Sequence, residues 1–251
     1  MDKPDDEKLP LIAHLEELKT RLIRAIIALG AGFLICYGLK EQLFAIITRP
    51  LVKVLPAGAH LIFIAPAEAF VTYLKISFYF GLFISSPYIF LQVWKFISPG
   101  LYDHEKKHVV PFVIFATLLF LLGALFCYFF VIPLAFEFFL AFTSEFLKPM
   151  FTMKEYLSLS LQLIFLFGLS FELPVFIFFL AKIGLVDASF LSRHRRYAIL
   201  LIFIIAAILT PPDVVSQVMM AVPLMVLYEI SIYLAKYARK EKLQQEAENE
   251  G

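Results

Sequence analysis

Charge is scarce in this chain, and what there is falls in clusters. Only 17% of its 251 residues are Asp, Glu, Lys or Arg, while 61% are hydrophobic and 29 are Phe. A soluble domain carries about 25% charge and about 45–50% apolar residues, so a water-exposed globule is excluded. Cysteine is nearly absent, with Cys36 and Cys127 each inside an apolar run and neither in a metal or redox spacing. That excludes a disulfide framework and predicts two buried, reduced thiols. No internal repeat is visible, which disfavours the many secondary transporters built from repeats. Low-complexity sequence is confined to the polar tail KEKLQQEAENEG. The first ~20 residues lack the apolar core of a cleavable leader, and the run that follows is too long for one, so the first span is expected to stay in place.

The long uncharged runs make this a polytopic all-α membrane protein. Four of them, Leu22–Leu39, Phe70–Val93, Val109–Ile132 and Leu157–Ala181, are long enough to cross a bilayer. Two more, residues 197–209 and 214–235, flank a TPPD turn, and a polar tail occupies 236–251. The fifth run makes only about 20 Å of helix against a hydrocarbon core of about 30 Å. Either the last pair is a re-entrant hairpin that turns back, or two short spans thin the membrane locally. With six crossings and an inside N-terminus, sixteen Lys and Arg fall on inner segments and six on outer ones. This positive-inside bias predicts that both termini are cytoplasmic. The outer loop from Lys40 to Ala69, punctuated by Pro50, Pro56, Gly58 and Pro66, reads as a folded cap or an interfacial element. The apolar start of the loop from Pro133 to Tyr156 is suited to extend the third span.

Four places combine polar groups with an apolar setting. Glu172 is the only charge in residues 157–181, and a charge at such depth costs roughly 2.5–3.5 kcal/mol on insertion scales. Pro174, two positions on, opens the backbone hydrogen-bond ladder beside it. At the N-terminus, Leu11, Leu15, Leu18 and Leu22 recur at helical spacing, so this stretch should lie in the inner interface. Glu16 and Glu17 stand there where bases are expected. Glu17 is placed to pair with Arg21 at i,i+4, a contact worth ~0.3–0.5 kcal/mol, or else awaits a cationic partner.

A second acidic group lies on the same side, in FISPGLYDHEKKHVVP. Asp103 is suited to cap the helix that follows the Ser98-Pro99-Gly100 turn. His104, Glu105 and His108 match the H-E-x-x-H pattern of zinc proteases. They sit, however, in a Lys-rich loop with Pro111 three residues on and no obvious third ligand, so coincidence is the better reading. In the TPPD turn, Asp213 can cap the last helix, and Gln217 lies one turn inside it, ready to bond a neighbouring helix. Tyr88, Trp94 and Tyr102 read as interfacial anchors.

Taken together, HLEELKTRL (14–22), RPL (49–51), QVWKFISPGLYDHEKK (92–107), FGLSFELPV (167–175) and LTPPDVVSQ (209–217), followed by VPL and YEI, resemble the TatC family. These are the multispan subunits of the twin-arginine protein translocase. The resemblance covers nearly the whole chain in order, with Pro50 and Asp213 as its turn residues. It implies one integral membrane domain over residues 1–251 with six helices, the last two short, in a concave glove-like shape. It further implies a non-enzymatic receptor in the bacterial cytoplasmic membrane, driven by the proton gradient and needing no cofactor or metal. Its expected partners are twin-arginine signal peptides of folded proteins, single-span TatA/TatB-type subunits, other copies of itself and lipid, with no nucleic acid.

Acids matching Glu17 and Glu105 would form the cytoplasmic recognition site, near Lys19, Phe96, Leu101 and Lys107. Two carboxylates suit two guanidinium groups, since each accepts a bidentate pair of hydrogen bonds. Lys19 and Lys107 stand where many members have Arg, which keeps the charge and loses the planar fork. By the same resemblance, Glu172 and Gln217 lie in the membrane where partner helices dock. The competing reading is a proton-coupled small-solute transporter that uses Glu172 as its carrier acid.

Overall fold

The computed structural model describes residues 8–55, 61–97, 109–144, 150–210 and 214–249. Among them the regular structure is helical, apart from one isolated parallel bridge between Ile62 and Thr152. The chain divides into two compact units, Met1–Ile46 with Ala69–Leu118, and Ile47–Glu68 with Leu119–Gly251.

In the first unit, α1 (Lys8–Gly38) and α3 (Glu68–Ile97) cross where both helices present glycine. A Cβ on Gly81 would lie 2.7 Å from the Phe33 nitrogen, and one on Gly32 2.7 Å from the Gly81 carbonyl. The backbones therefore approach as closely as small residues allow, which is how helices gain contact inside lipid. Ser85 locks the crossing by donating from Oγ to the Ala28 carbonyl at 2.8 Å. Further along α3, Trp94 is buried and stacks on Phe112 of α4 (Val109–Phe126), with centroids 5.0 Å apart. It is thus packed inside rather than anchored at the interface, while Tyr88 is exposed.

The second unit is organised around the start of α6 (Met153–Phe171). Thr152 caps this helix by accepting from the Glu155 N–H at 3.2 Å. Ile62 pairs with the strand-like residues just before it, with Ile62 N–H to Phe151 O at 3.1 Å and Met153 N–H to Ile62 O at 2.8 Å. Buried Glu68 accepts from the Lys154 N–H at 2.8 Å and from the Ile64 N–H at 2.9 Å. Tyr156, also buried, donates its hydroxyl to the Ile47 carbonyl at 2.8 Å. These contacts fasten residues 61–68 to the start of α6. Pro50 departs from the expected turn and lies inside α2 (Lys40–Val54). Ile47, Thr48, Pro50 and Leu51 are all buried there, and that packing keeps the helix going through a residue that cannot donate.

The third span also runs beyond its expected end. After α4 comes a one-turn π-helix, Cys127–Val131, and then α5 (Ile132–Leu140), giving an apolar stretch from Val110 to Leu140. Against it, α6 packs through a glycine pair of its own. A Cβ on Gly123 would meet the Phe167 carbonyl at 2.6 Å, and one on Gly168 the Phe120 ring at 2.8 Å. Both cysteines are buried free thiols, as expected. After α7 (Leu173–Lys182), Gly184 takes φ 86°, and the Leu185 N–H bonds the Leu180 carbonyl at 3.0 Å, which closes the helix end. A short α8 (Ala188–Arg193), capped by Asp187, leads to α9 (Arg195–Leu209) and α10 (Val214–Asn249).

Among the described residues, five helical stretches are long and apolar enough to span a membrane, namely His14–Gly38, Glu68–Ile97, Val110–Leu140, Met153–Lys182 and Val214–Ala238. With 15 residues, α9 is about 22 Å long. The last helix continues as helix through the polar tail to Asn249. Lys, Glu, Gln and Ala favour helix, and the preceding span supplies the nucleus they need.

Candidate functional site

On α1, Glu17 is half-buried, and Arg21 donates to its Oε1 from Nε at 2.9 Å and from Nη2. The i,i+4 pair predicted from sequence is therefore present. Both Arg21 donors go to one carboxylate oxygen, and none of the described hydrogen bonds uses Oε2. Glu16 is exposed, and Thr20 donates to its carbonyl at 2.9 Å. Lys19 is exposed two positions from Glu17, and on a helix residues two apart do not share a face. Whatever Lys19 contributes, it does so from a different side of α1.

Phe96, near the C-terminal end of α3, meets α1 through His14. The two rings stack with centroids 4.4 Å apart and planes inclined by 17°. His14 lies one turn before Glu17, so the structure sets Phe96 beside the helix that carries the acid. No role for His14 is legible in the sequence beyond its three-residue spacing from Glu17. Leu101, Glu105 and Lys107 lie outside the described residues, as do Asp213 and the H-E-x-x-H segment.

The membrane acid lies in the second unit. Glu172 sits at the junction of α6 and α7, its N–H bonded to the Leu169 carbonyl at 3.1 Å and its carbonyl accepting from Phe176 at 2.9 Å. The helix thus continues through Pro174 with a single-residue break at the acid. Its Oε1 is buried and has no hydrogen-bond partner among the described residues. Gln217 is not in that position, because its Nε2 donates to the Phe203 carbonyl at 3.0 Å, joining α10 to α9. On the same helices, Arg195 pairs with Glu229, its Nη2 donating to Oε2 at 2.9 Å and its Nε 2.8 Å from Oε1.

Comparison with known proteins gives this arrangement a family. The model of the Sec-independent protein translocase protein (TatC) matches residues 13–223. This chain belongs to the TatC family. It is 48% identical over 244 residues to the TatC of Desulforapulum autotrophicum, covering 97% of this chain and 90% of that one. With the TatC of Campylobacter jejuni it shares 47% identity over 225 residues, 89% of this chain and 92% of the relative. A crystal structure of the twin arginine translocase receptor TatC superposes with a TM-score of 0.82 at 43% identity, covering 90% of this chain and 99% of the other. This TatC chain is therefore a polytopic, helical membrane component of a protein translocase, a family of receptors. The half-buried Glu17 and the buried Glu172 oxygen are two features of its polar chemistry that bear on function.

Proposed function

We propose that this chain is the receptor and core subunit of a twin-arginine translocase in the bacterial cytoplasmic membrane. Residues 1–251 act as one integral membrane domain with both termini in the cytoplasm and six crossings, α9 being a short one. The signal peptides of folded proteins bind at Glu17 and Glu105, beside Phe96, Lys19, Leu101 and Lys107, and export is driven by the proton gradient without enzymatic chemistry. Single-span TatA/TatB-type subunits and further copies of the chain complete the assembly through the membrane face that holds Glu172 and Gln217.

The observation that carries this reading is the Glu17 carboxylate. It stands on a cytoplasmic helix where bases are the rule, and it already accepts the edge of a guanidinium. Binding of an arginine-rich leader repeats that contact between molecules, where charge-assisted hydrogen bonds to Arg are strong and directional. Site-specific crosslinking of a twin-arginine leader tests it. Glu17→Ala and Glu105→Ala are expected to abolish the crosslink while the protein still inserts and accumulates normally. Full crosslinking in both variants would defeat the assignment.

A further inference from the structure

We propose that His14 is a positioning residue for leader recognition, holding the Phe96 ring as a flat shelf beside Glu17 on which an incoming guanidinium lies. The inference rests on the reading of Glu17 as the acceptor of leader arginines and adds a second, aromatic determinant to it. On α1, positions 14, 17 and 21 recur at the three- and four-residue spacing that places side chains on one face. Glu17 joins Arg21 on that face, and His14 carries Phe96.

The stack is close to parallel, with planes at 17° and centroids at 4.4 Å, so the imidazole covers one face of the phenyl ring. Phe96 is the penultimate residue of α3 and only half-buried. The ring's orientation depends on the neighbour it leans against. Of the described side chains, His14 makes that ring contact.

An aromatic ring stacked on the residue one turn before a carboxylate distinguishes the two basic side chains. Guanidinium is planar and weakly hydrated, so it can lie on an aromatic ring while its edge still donates to a carboxylate. An ammonium is compact, strongly hydrated and has no plane to stack. Glu17 alone would attract either cation. Glu17 together with an oriented Phe96 favours arginine, which is the selectivity a twin-arginine receptor needs.

The experiment uses the full-length protein in nanodiscs and fluorescent leader peptides carrying either Arg-Arg or Lys-Lys. His14→Ala is expected to weaken the Arg-Arg leader about fivefold, the factor that follows from losing a stacking contact of roughly 1 kcal/mol. The Lys-Lys leader should change little, so the preference for arginine narrows. His14→Tyr should restore that preference, and the thermal midpoint should stay where it is in all variants. An unchanged preference in His14→Ala, or no rescue by His14→Tyr, overturns the proposal. So does a loss of binding that follows a fall in thermal midpoint, since His14 would then be ordinary packing between α1 and α3. Glu17→Ala keeps the two readings apart. If it binds both leaders normally, the recognition reading itself falls; if it loses both while position 14 is indifferent, only the shelf falls.

Discussion

Arg21 places two donors on a single oxygen of Glu17, Nε at 2.9 Å and Nη2 beside it. The acid proposed to receive a leader's arginine is thus partly occupied by an arginine of its own helix. Both side chains are partly exposed, at 19% for Arg21 and 32% for Glu17, so water and salt weaken the pair. An i,i+4 pair of this kind is worth about 0.2–0.5 kcal/mol. It can bias the carboxylate without closing it.

Replacing Arg21 should therefore favour the leader. Arg21→Gln is expected to tighten binding of a twin-arginine peptide about twofold at low salt, the ratio that ~0.4 kcal/mol gives. The gain should shrink toward 1 M salt, where the screening length falls to about 3 Å. Thermal stability should move by less than about 0.5 kcal/mol. Fluorescence anisotropy across a salt series checks this, and weaker binding in Arg21→Gln would mean that Arg21 orients Glu17 rather than competing for it.

The glycine crossing of α1 and α3 makes a prediction about stability. A side chain at Gly81 would meet backbone atoms of Phe33 and Gly32 at 2.7–2.9 Å, and backbone cannot swing aside as a flexible side chain can. Gly81→Leu is expected to cost more than about 2 kcal/mol, as overpacking a tight contact does, and to lower the thermal midpoint in detergent. Gly30 lies on α1, two residues before Gly32, with nothing within 4 Å of its added Cβ. Gly30→Leu should leave the midpoint unchanged, so the pair of variants separates the crossing from a general intolerance of these two helices to bulk.

How much of this was legible in sequence follows from the range of the interaction. The long apolar runs marked the spans because lipid demands about 20 apolar residues in a row. Glu17 with Arg21, and Gln217 with its neighbouring helix, were readable from helical spacing and from polarity in an apolar setting. Contacts between distant parts of the chain were not. Glu68 reaches Lys154 across 86 positions, and no local pattern marks either residue. The stack of Phe96 on His14 and the burial of Trp94 against Phe112 depend in the same way on which helices become neighbours. Pro50 misled for a related reason. A proline argues for a turn locally, but buried neighbours and the Tyr156 hydroxyl hold its helix together.

Glu68 should prove to be the fastening of the segment that precedes α3. Its two oxygens accept from three backbone N–H groups, those of Ile64, Ala65 and Lys154, which joins residues 64–68 to the first turn of α6. Glu68→Ala leaves those donors without their acceptor, and the Ile62–Thr152 bridge then holds the segment alone. Hydrogen exchange should accelerate at residues 62–65 and 153–155 and stay unchanged at the Gly32–Gly81 crossing. Unaltered exchange at Lys154 would show that the bridge suffices.

Glu172 provides the sharpest contrast between stability and function. A buried carboxylate oxygen without a hydrogen-bond partner is a cost to the isolated chain, on the order of 1–3 kcal/mol for an unsatisfied buried polar group. If its purpose is to meet a polar group on a partner helix, removing it should relieve the monomer and harm the assembly. Glu172→Leu is therefore expected to hold or raise the thermal midpoint of the purified protein, yet to lose co-purification with single-span subunits. Glu172→Gln keeps a hydrogen-bonding group in the same volume and should retain a substantial part of that co-purification. The opposite pattern, a lower midpoint with assembly intact, would place Glu172 in the packing of α6 and α7. Such a result would also remove it from the partner face, because an interface residue cannot be dispensable for the interface while the fold depends on it.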